Sequence, residues 1–139
     1  MNYRQNQSHR IWKHIISAPL IWLPIFPILL LDVLVFIYQE ICFPIYKIEK
    51  VKRSAYILIM DRAKLEYLSP LEKISCMYCG YVNGFLLYAK EIAGRTEKYW
   101  CGVMHESKPG FKVQPSQIKE DFAKYGDEAD CTNKYGLLK

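Results

Sequence analysis

The sequence predicts a mainly α-helical protein. An N-terminal membrane helix, or a re-entrant hairpin, would precede a small α-rich, metal-stapled domain with at most one or two short strands. Three observations lead to this prediction: a long apolar run near the N-terminus, a helical repeat of apolar residues in the second half, and four cysteine and histidine residues spaced as metal ligands. The residues after Val51, fewer than 90 of the 139, are left for a soluble core. A core this small often needs a metal or a disulfide for stability.

Hydropathy and charge divide the chain into five parts. These are a basic N-terminal segment (1–14), a membrane anchor (15–46), a basic juxtamembrane linker (47–54), a metal-binding domain (55–110) and a polar C-terminal tail with a short helix (111–139).

The positive charge is concentrated beside the anchor. Residues 1–53 carry a net charge of +4 and residues 54–139 a net charge of +1. This distribution favours anionic lipid headgroups over nucleic acid as the basic partner. The predicted headgroup contacts are Lys47, Lys50, Lys52 and Arg53.

The anchor contains prolines that restrict where its helix can begin. Pro19, Pro24 and Pro27 interrupt its first half, and proline is tolerated best in the first turn of a helix. We therefore expect a helix from Pro27 to Pro44 or Tyr46, whose 18 to 20 residues extend over roughly 27–30 Å, about one hydrocarbon core.

Basic residues flank the anchor on both sides, so its topology stays open. A single tilted span is one solution, and a re-entrant hairpin bent at the prolines is the other. We favour the span, in the inner (cytoplasmic) membrane with the C-terminal domain facing the cytoplasm. Five cysteines, an odd number, also fit a reducing compartment better than an oxidising one.

Two of the polar residues within the anchor have a spacing that places them together. Asp32 and Gln39 are seven residues apart and fall on nearly the same helix face. An acid at membrane depth is costly unless it faces protein or water. Asp32 therefore contacts another membrane protein or a second copy of this chain, or else it is a hydrated residue near the interface.

After the linker we predict a strand over residues 54–60 and a short helix from Asp61. Ser69, Pro70 and Glu72 match a capping box with proline at the first helical position, which begins a short helix before Cys76. A longer helix from Asn83 or Gly84 to Trp100 would turn Phe85, Tyr88, Ala89, Ile92 and Thr96 inward. A short helix over 116–125, with Ile118 and Phe122 inward, would end at Gly126 and precede a loose tail.

Cys76 and Cys79 form one pair of candidate metal ligands, and Cys101 and His105 form the second. The first pair has the spacing of a tight metal-binding turn, and the second would share one face of a helical turn. Cys3His is a common structural zinc set, and four protein ligands leave no open position for catalysis. The sequence therefore predicts a structural zinc site.

The stretch from Cys76 to Tyr81 reads Cys-x-x-Cys-Gly-Tyr and resembles the first knuckle of rubredoxins and rubredoxin-like zinc ribbons. The resemblance covers six residues and implies metal binding, with iron as the alternative to zinc. The wider pattern of a proline-rich apolar anchor, a basic stretch and this knuckle resembles small bacterial membrane proteins. That wider resemblance implies no activity.

The first functional hypothesis is a zinc-stabilised adaptor or accessory subunit of a membrane complex, whose partners are lipid and another membrane protein or a second copy. The alternatives are a one-electron carrier with iron in the Cys3His site and a membrane dithiol redox protein. Motifs of enzymes, such as a phosphate-binding glycine loop, Gly-x-Ser-x-Gly or His-Glu-x-x-His, do not occur in the sequence.

Overall fold

The computed structural model describes residues 7–136, and the predictions for 1–6 and 137–139 lie outside them. The described part of the chain is mainly helical, as predicted, and it contains no β-strand. The five α-helices are α1 (Gln7–Trp22), α2 (Ile25–Tyr46), α3 (Pro70–Trp100), α4 (Pro115–Lys119) and α5 (Glu128–Tyr135).

The predicted anchor, residues 15–46, comprises the second half of α1 and all of α2, joined by a turn at Leu23 and Pro24. Pro19 lies inside α1. The helix ends at Trp22, two residues before Pro24, and the chain turns there. Helix α2 begins two residues before the predicted Pro27 and ends at Tyr46, as predicted. The stretch Ile15–Tyr46 is long and apolar enough to cross a membrane by length and composition.

Residues 47–69 form a return segment that runs back along α2 instead of leading away from it. The strand predicted over 54–60 is wrong, because this stretch begins with a 3₁₀ helix, Arg53–Ala55, and forms no strand. The short helix predicted from Asp61 is present only as the 3₁₀ helix Arg62–Lys64, with Asp61 at its N-cap position. No neighbouring strand is available to pair with it among residues 7–136. Its backbone instead packs on other elements, most closely on two glycines of α3.

Helix α3 is one unbroken helix of 31 residues, where two helices joined by a metal-binding turn were predicted. The capping box of Ser69 and Glu72 is confirmed at its start. Gly80 and Gly84 do not break the helix; they allow the return segment to approach it. A Cβ at Gly80 would lie 2.8 Å from the Leu58 carbonyl oxygen, and one at Gly84 would lie 2.5 Å from that of Tyr56.

Helices α2 and α3 run parallel, because their contacts advance along both in the same direction. The pairs are Asp32 with Tyr81, Tyr38 with Thr96, and Tyr46 with Tyr99. The return segment packs beside both helices. The core between the three elements comprises Phe43, Val51, Phe85, Tyr88 and Ile92, so the predicted inward positions of α3 are confirmed at Phe85, Tyr88 and Ile92.

The C-terminal residues fold back on the end of α3. Gln117 is fully buried and donates a hydrogen bond to Glu97 over 2.7 Å, which fixes α4 against α3. Phe122 is buried as predicted, but Ile118 is 68% exposed, because α4 is a single short turn that directs Gln117 inward instead. The predicted loose tail is also wrong over Glu128–Tyr135, where Asp127 caps α5.

Candidate functional site

The most polar buried feature of the anchor is a cluster centred on Asp32, which is 6% exposed. Arg53 of the return segment pairs with both of its carboxylate oxygens, through Nη1 to Oδ1 and through Nη2 to Oδ2 at 2.6 Å. The Tyr81 hydroxyl of α3 donates to Oδ2 at 2.7 Å. Three elements that are distant in sequence therefore converge on one carboxylate.

Gln39, two helical turns further along α2, binds the backbone of the return segment. Its Oε1 accepts from the Val51 N–H at 2.9 Å, and its Nε2 donates to the Val51 carbonyl at 3.3 Å. Both backbone groups of a buried residue are thereby satisfied without a partner strand. Asp32 and Gln39 do share one face, as predicted, and the structure supplies their partners within the same chain.

The electrostatics of the cluster favour the charged pair. The hydrogen bond to Asp32 raises the pKa of Arg53. The Arg53 guanidinium also lies over the Tyr88 ring, 5.9 Å from its centroid. Burial, and next the hydrogen bond to Asp32, raise the pKa of Tyr81 to about 12. Tyr81 therefore stays a neutral hydrogen-bond donor throughout the physiological pH range.

The opposite side of α2 has no protein cover. We call it the outer face of α2, and it consists of positions three or four residues apart that lie on one side of the helix. Each of these side chains is between 45% and 67% exposed, and none is polar: Leu30, Leu34, Ile37, Ile41 and Ile45. An exposed apolar surface of this kind marks contact with a membrane or with another protein.

The four residues predicted to contact headgroups divide into two kinds. Arg53 forms an ion pair with Asp32, and Lys50 forms one with Glu40 of α2. Lys47, which ends α2 in the left-handed conformation, and Lys52 are exposed. The latter two therefore present their charge at the surface.

The four predicted metal ligands are not brought together. Cys76 and Cys79 lie in the first third of α3, and Cys101 caps its C-terminus. Cys79 and Cys101 are separated by ~33 Å of continuous helix at about 1.5 Å per residue. One tetrahedral ion with ligands ~2.0–2.3 Å away cannot contact both pairs of a single chain.

The second pair also lacks the predicted helical turn. Helix α3 ends at Trp100, and beyond it Val103 forms an isolated parallel bridge with Ala123. His105 is exposed, packs its ring near Phe111 and lies 3.6 Å from a carboxylate oxygen of Glu97. Among residues 7–136 no group of three or more potential ligands converges as a metal site. The predicted Cys3His set therefore does not fit zinc or iron in this arrangement.

Cys76 and Cys79 instead border a cavity between α1 and α3. Its volume is about 420 Å³, and its walls are largely apolar, with Trp22 and Leu71 among them. Trp22 packs on Tyr78 with ring centroids 4.5 Å apart, and the Tyr78 hydroxyl donates to the Ile21 carbonyl at 2.6 Å. The resemblance to a zinc-ribbon knuckle thus falls on residues that place α1 on α3.

Comparison of the chain with known protein families, with curated proteins and with solved structures finds no match.

Sequence reasoning missed Arg53 and Tyr81 as members of the cluster. A signal was present, because an acid inside an apolar anchor needs a partner, and Arg53 is the first arginine after it. Its position in a basic stretch, however, predicts a headgroup contact instead. Tyr81 has no comparable signal in the sequence, since with Cys79 and Gly80 it matches the pattern of a metal-binding turn.

Proposed function

We propose that the protein is a membrane-anchored helical adaptor or accessory subunit of a membrane complex. The observation that carries this proposal is the outer face of α2, an uninterrupted apolar surface with no cover in the described part of the chain. In this proposal α1 and α2 hold the protein on the inner membrane, and α3 to α5 face the cytoplasm.

The inward polar residues of α2 support an architectural role. Asp32 and Gln39 are occupied by Arg53, Tyr81 and the Val51 backbone, so they hold the return segment and α3 on the anchor. Helix α3 in turn leaves two adjacent leucines, Leu86 and Leu87, 51% and 58% exposed. These leucines offer a contact for a partner, which would be another membrane protein or a second copy.

Membrane extraction followed by sizing of the solubilised protein tests this proposal. We expect the full chain to stay in the pellet after alkaline carbonate washing, which releases peripheral proteins. In mild detergent, chemical crosslinking at native abundance should then trap it in a species of defined size larger than the monomer. Release by carbonate would refute the anchor, and a purely monomeric protein would refute the adaptor role.

Zinc, or iron with a redox role, stays a prediction that metal analysis tests. A single-chain Cys3His site would require α3 to break between Cys79 and Cys101, so we expect less than one metal per chain. Helical content should be the same in Cys79→Ser as in the unchanged protein. One zinc per chain that is lost in Cys79→Ser together with helical structure would contradict the continuous helix.

A dithiol function also meets a geometric obstacle. On a helix, residues three apart have Cβ atoms about 5–6 Å apart, whereas a disulfide requires ~3.5–4.5 Å. Oxidation of Cys76 with Cys79 would therefore distort α3. We expect both thiols to react with an alkylating reagent in unfolded protein that was prepared without reductant.

A further inference from the structure

We infer that α2 lies along the membrane plane, with its outer face in the acyl chains of one leaflet, and does not cross the bilayer. This inference rests on the proposed membrane anchoring and adds how the anchor sits. In this arrangement lipid contacts the outer face of α2.

The return segment gives the first reason. From Tyr46 the chain runs back past Gln39, where Val51 is bound, to Asp32, where Arg53 is bound. This distance is 14 residues of α2, or ~21 Å of its length. Non-helical backbone is not tolerated in contact with lipid at membrane depth. If α2 crossed upright, this segment would have to be at that depth, with the exposed Lys52 on it.

Helix α3 gives the second reason, because it follows the C-terminal half of α2 on the same side as the return segment. It carries the ion pairs of Arg95 with Glu91 and of Lys98 with Glu120. The contacts of Tyr38 with Thr96 and of Tyr46 with Tyr99 place these ion pairs beside the C-terminal half of α2. Charged groups within the hydrocarbon are costly, whereas the same groups are hydrated if this side of α2 faces the water.

The position of the charged groups beside α2 gives the third reason. A helix that lies in the membrane plane needs an apolar side along its whole length, and the outer face runs from Leu30 to Ile45. Exposed apolar residues also flank that face, so the side of α2 available to lipid is wide: Leu29, Leu31, Val33 and Phe36. Asp32 and Gln39 instead face the return segment and α3. Glu40 and Lys50 pair where the return segment meets α2. Lys47 and Lys52 then lie where headgroup phosphates are available.

Depth measurements along the outer face test the inference directly. The full chain would be reconstituted in vesicles of phosphatidylethanolamine and phosphatidylglycerol, with a nitroxide-bearing amino acid placed singly at Leu30, Ile37 or Ile45. Depth follows from collisions with oxygen, which concentrates in lipid, and with a nickel chelate, which stays in water. The same label at the exposed Lys112, beyond α3, is the control for a water-accessible position.

We expect Leu30, Ile37 and Ile45 to lie below the phosphates at depths that agree within one helical turn, ~5 Å. A crossing α2 would place Ile37 about 12 Å deeper than Ile45 and overturn the inference. A depth that decreases steadily from Leu30 to Ile45 would show a re-entrant hairpin and overturn it too.

Two outcomes separate this inference from the proposed anchoring. Strong collisions with the nickel chelate at all three positions, as at Lys112, would mean that the chain is not anchored through α2, and both proposals would fail. Weak collisions with both reagents would mean that protein, such as a second copy, covers the outer face. That result would overturn the lipid contact and leave an adaptor role standing.

Discussion

Asp32 shows how one residue can define the arrangement of several elements. A carboxylate in an apolar anchor is stable in this position because Arg53 neutralises it and Tyr81 donates to it. The sequence predicts that Asp32 needs a partner, but spacing alone cannot show that the return segment doubles back to provide one. The sequence therefore predicts a partner in another molecule, or hydration near the interface.

Removal of Arg53 should destabilise the fold more than removal of an exposed arginine. In Arg53→Met the buried Asp32 keeps only the hydrogen bond from Tyr81, and loss of one partner of a buried pair costs about 2–4 kcal/mol, allowing for the partial exposure of Arg53. The free energy of unfolding in detergent measures this loss. Arg62→Met is the matched control, and its effect should stay within ~0.5 kcal/mol, because Arg62 is exposed.

The free energy of unfolding of Asp32→Asn shows whether the ion pair of Asp32 with Arg53 stabilises the fold. Arg53 is half-exposed and can turn to water, so this variant should lose less stability than Arg53→Met. Equal stability of Arg53→Met, Arg62→Met and the unchanged protein would show that Asp32 has no need of Arg53.

Tyr81 gives the fold a dependence on alkaline pH. Its pKa is raised from 10 to about 12, so the folded state holds the phenolic proton more tightly than the unfolded state does. The contribution of this proton to the free energy of unfolding is complete below pH 10 and is lost as the pH rises from about 10 to about 12. The unfolding midpoint in detergent should fall over this interval, and less steeply in Tyr81→Phe. An identical decline in both proteins would assign the effect to other groups.

At the scale of elements, sequence patterns located helices better than they located their interruptions. The end of α2 at Tyr46 and the capping box at Ser69 follow from local chemistry and are confirmed. Residues three apart are neighbours both in a metal-binding turn and on a helix face, so Cys76 and Cys79 could not distinguish the two. The return segment resembled a strand because it is apolar, although its partners are side chains and glycines.

Gly84 should be intolerant of even one added methyl group. A Cβ there would meet the backbone of Tyr56 at 2.5 Å and of Ile57 at 2.9 Å, and neither can move without displacing the return segment. Gly84→Ala should therefore lose about 1–3 kcal/mol of unfolding free energy, despite a gain of ~1 kcal/mol in helix propensity. Its matched control is Asn83→Ala, the exposed neighbour, which should change stability by less than ~0.5 kcal/mol. A stabilised Gly84→Ala would mean that the return segment does not lie on α3.

For the whole molecule, the parallel course of α2 and α3 decides which surfaces of α2 stay uncovered by protein. The sequence predicts a long apolar stretch near the N-terminus and a mainly helical remainder, and both are present. It cannot show that the remainder lies along the anchor, because this depends on contacts such as Tyr38 with Thr96, 58 residues apart. Because of such contacts, one side of α2 is covered by protein and the outer face of α2 is not.

The two sides of the molecule should respond differently to the same chemical change. Leu34 and Ile41 lie on the outer face of α2, 53% and 57% exposed, and the exposed leucines of α3, Leu86 and Leu87, are 51% and 58% exposed. A charge placed at membrane depth costs about 2.5–3.5 kcal/mol. The double variant Leu34→Glu/Ile41→Glu should therefore lose most of its retention in carbonate-washed membranes.

The matched variant Leu86→Glu/Leu87→Glu adds the same charge at similar exposure, and it should stay in the membrane pellet, because the proposed orientation places α3 on the water side. Circular dichroism of both purified variants would show that helical content is kept. Equal loss from the membrane in the two variants would place α3 in the lipid as well, since a charge on the water side carries no such cost. Retention of both would mean that the outer face of α2 is not what holds the protein on the membrane.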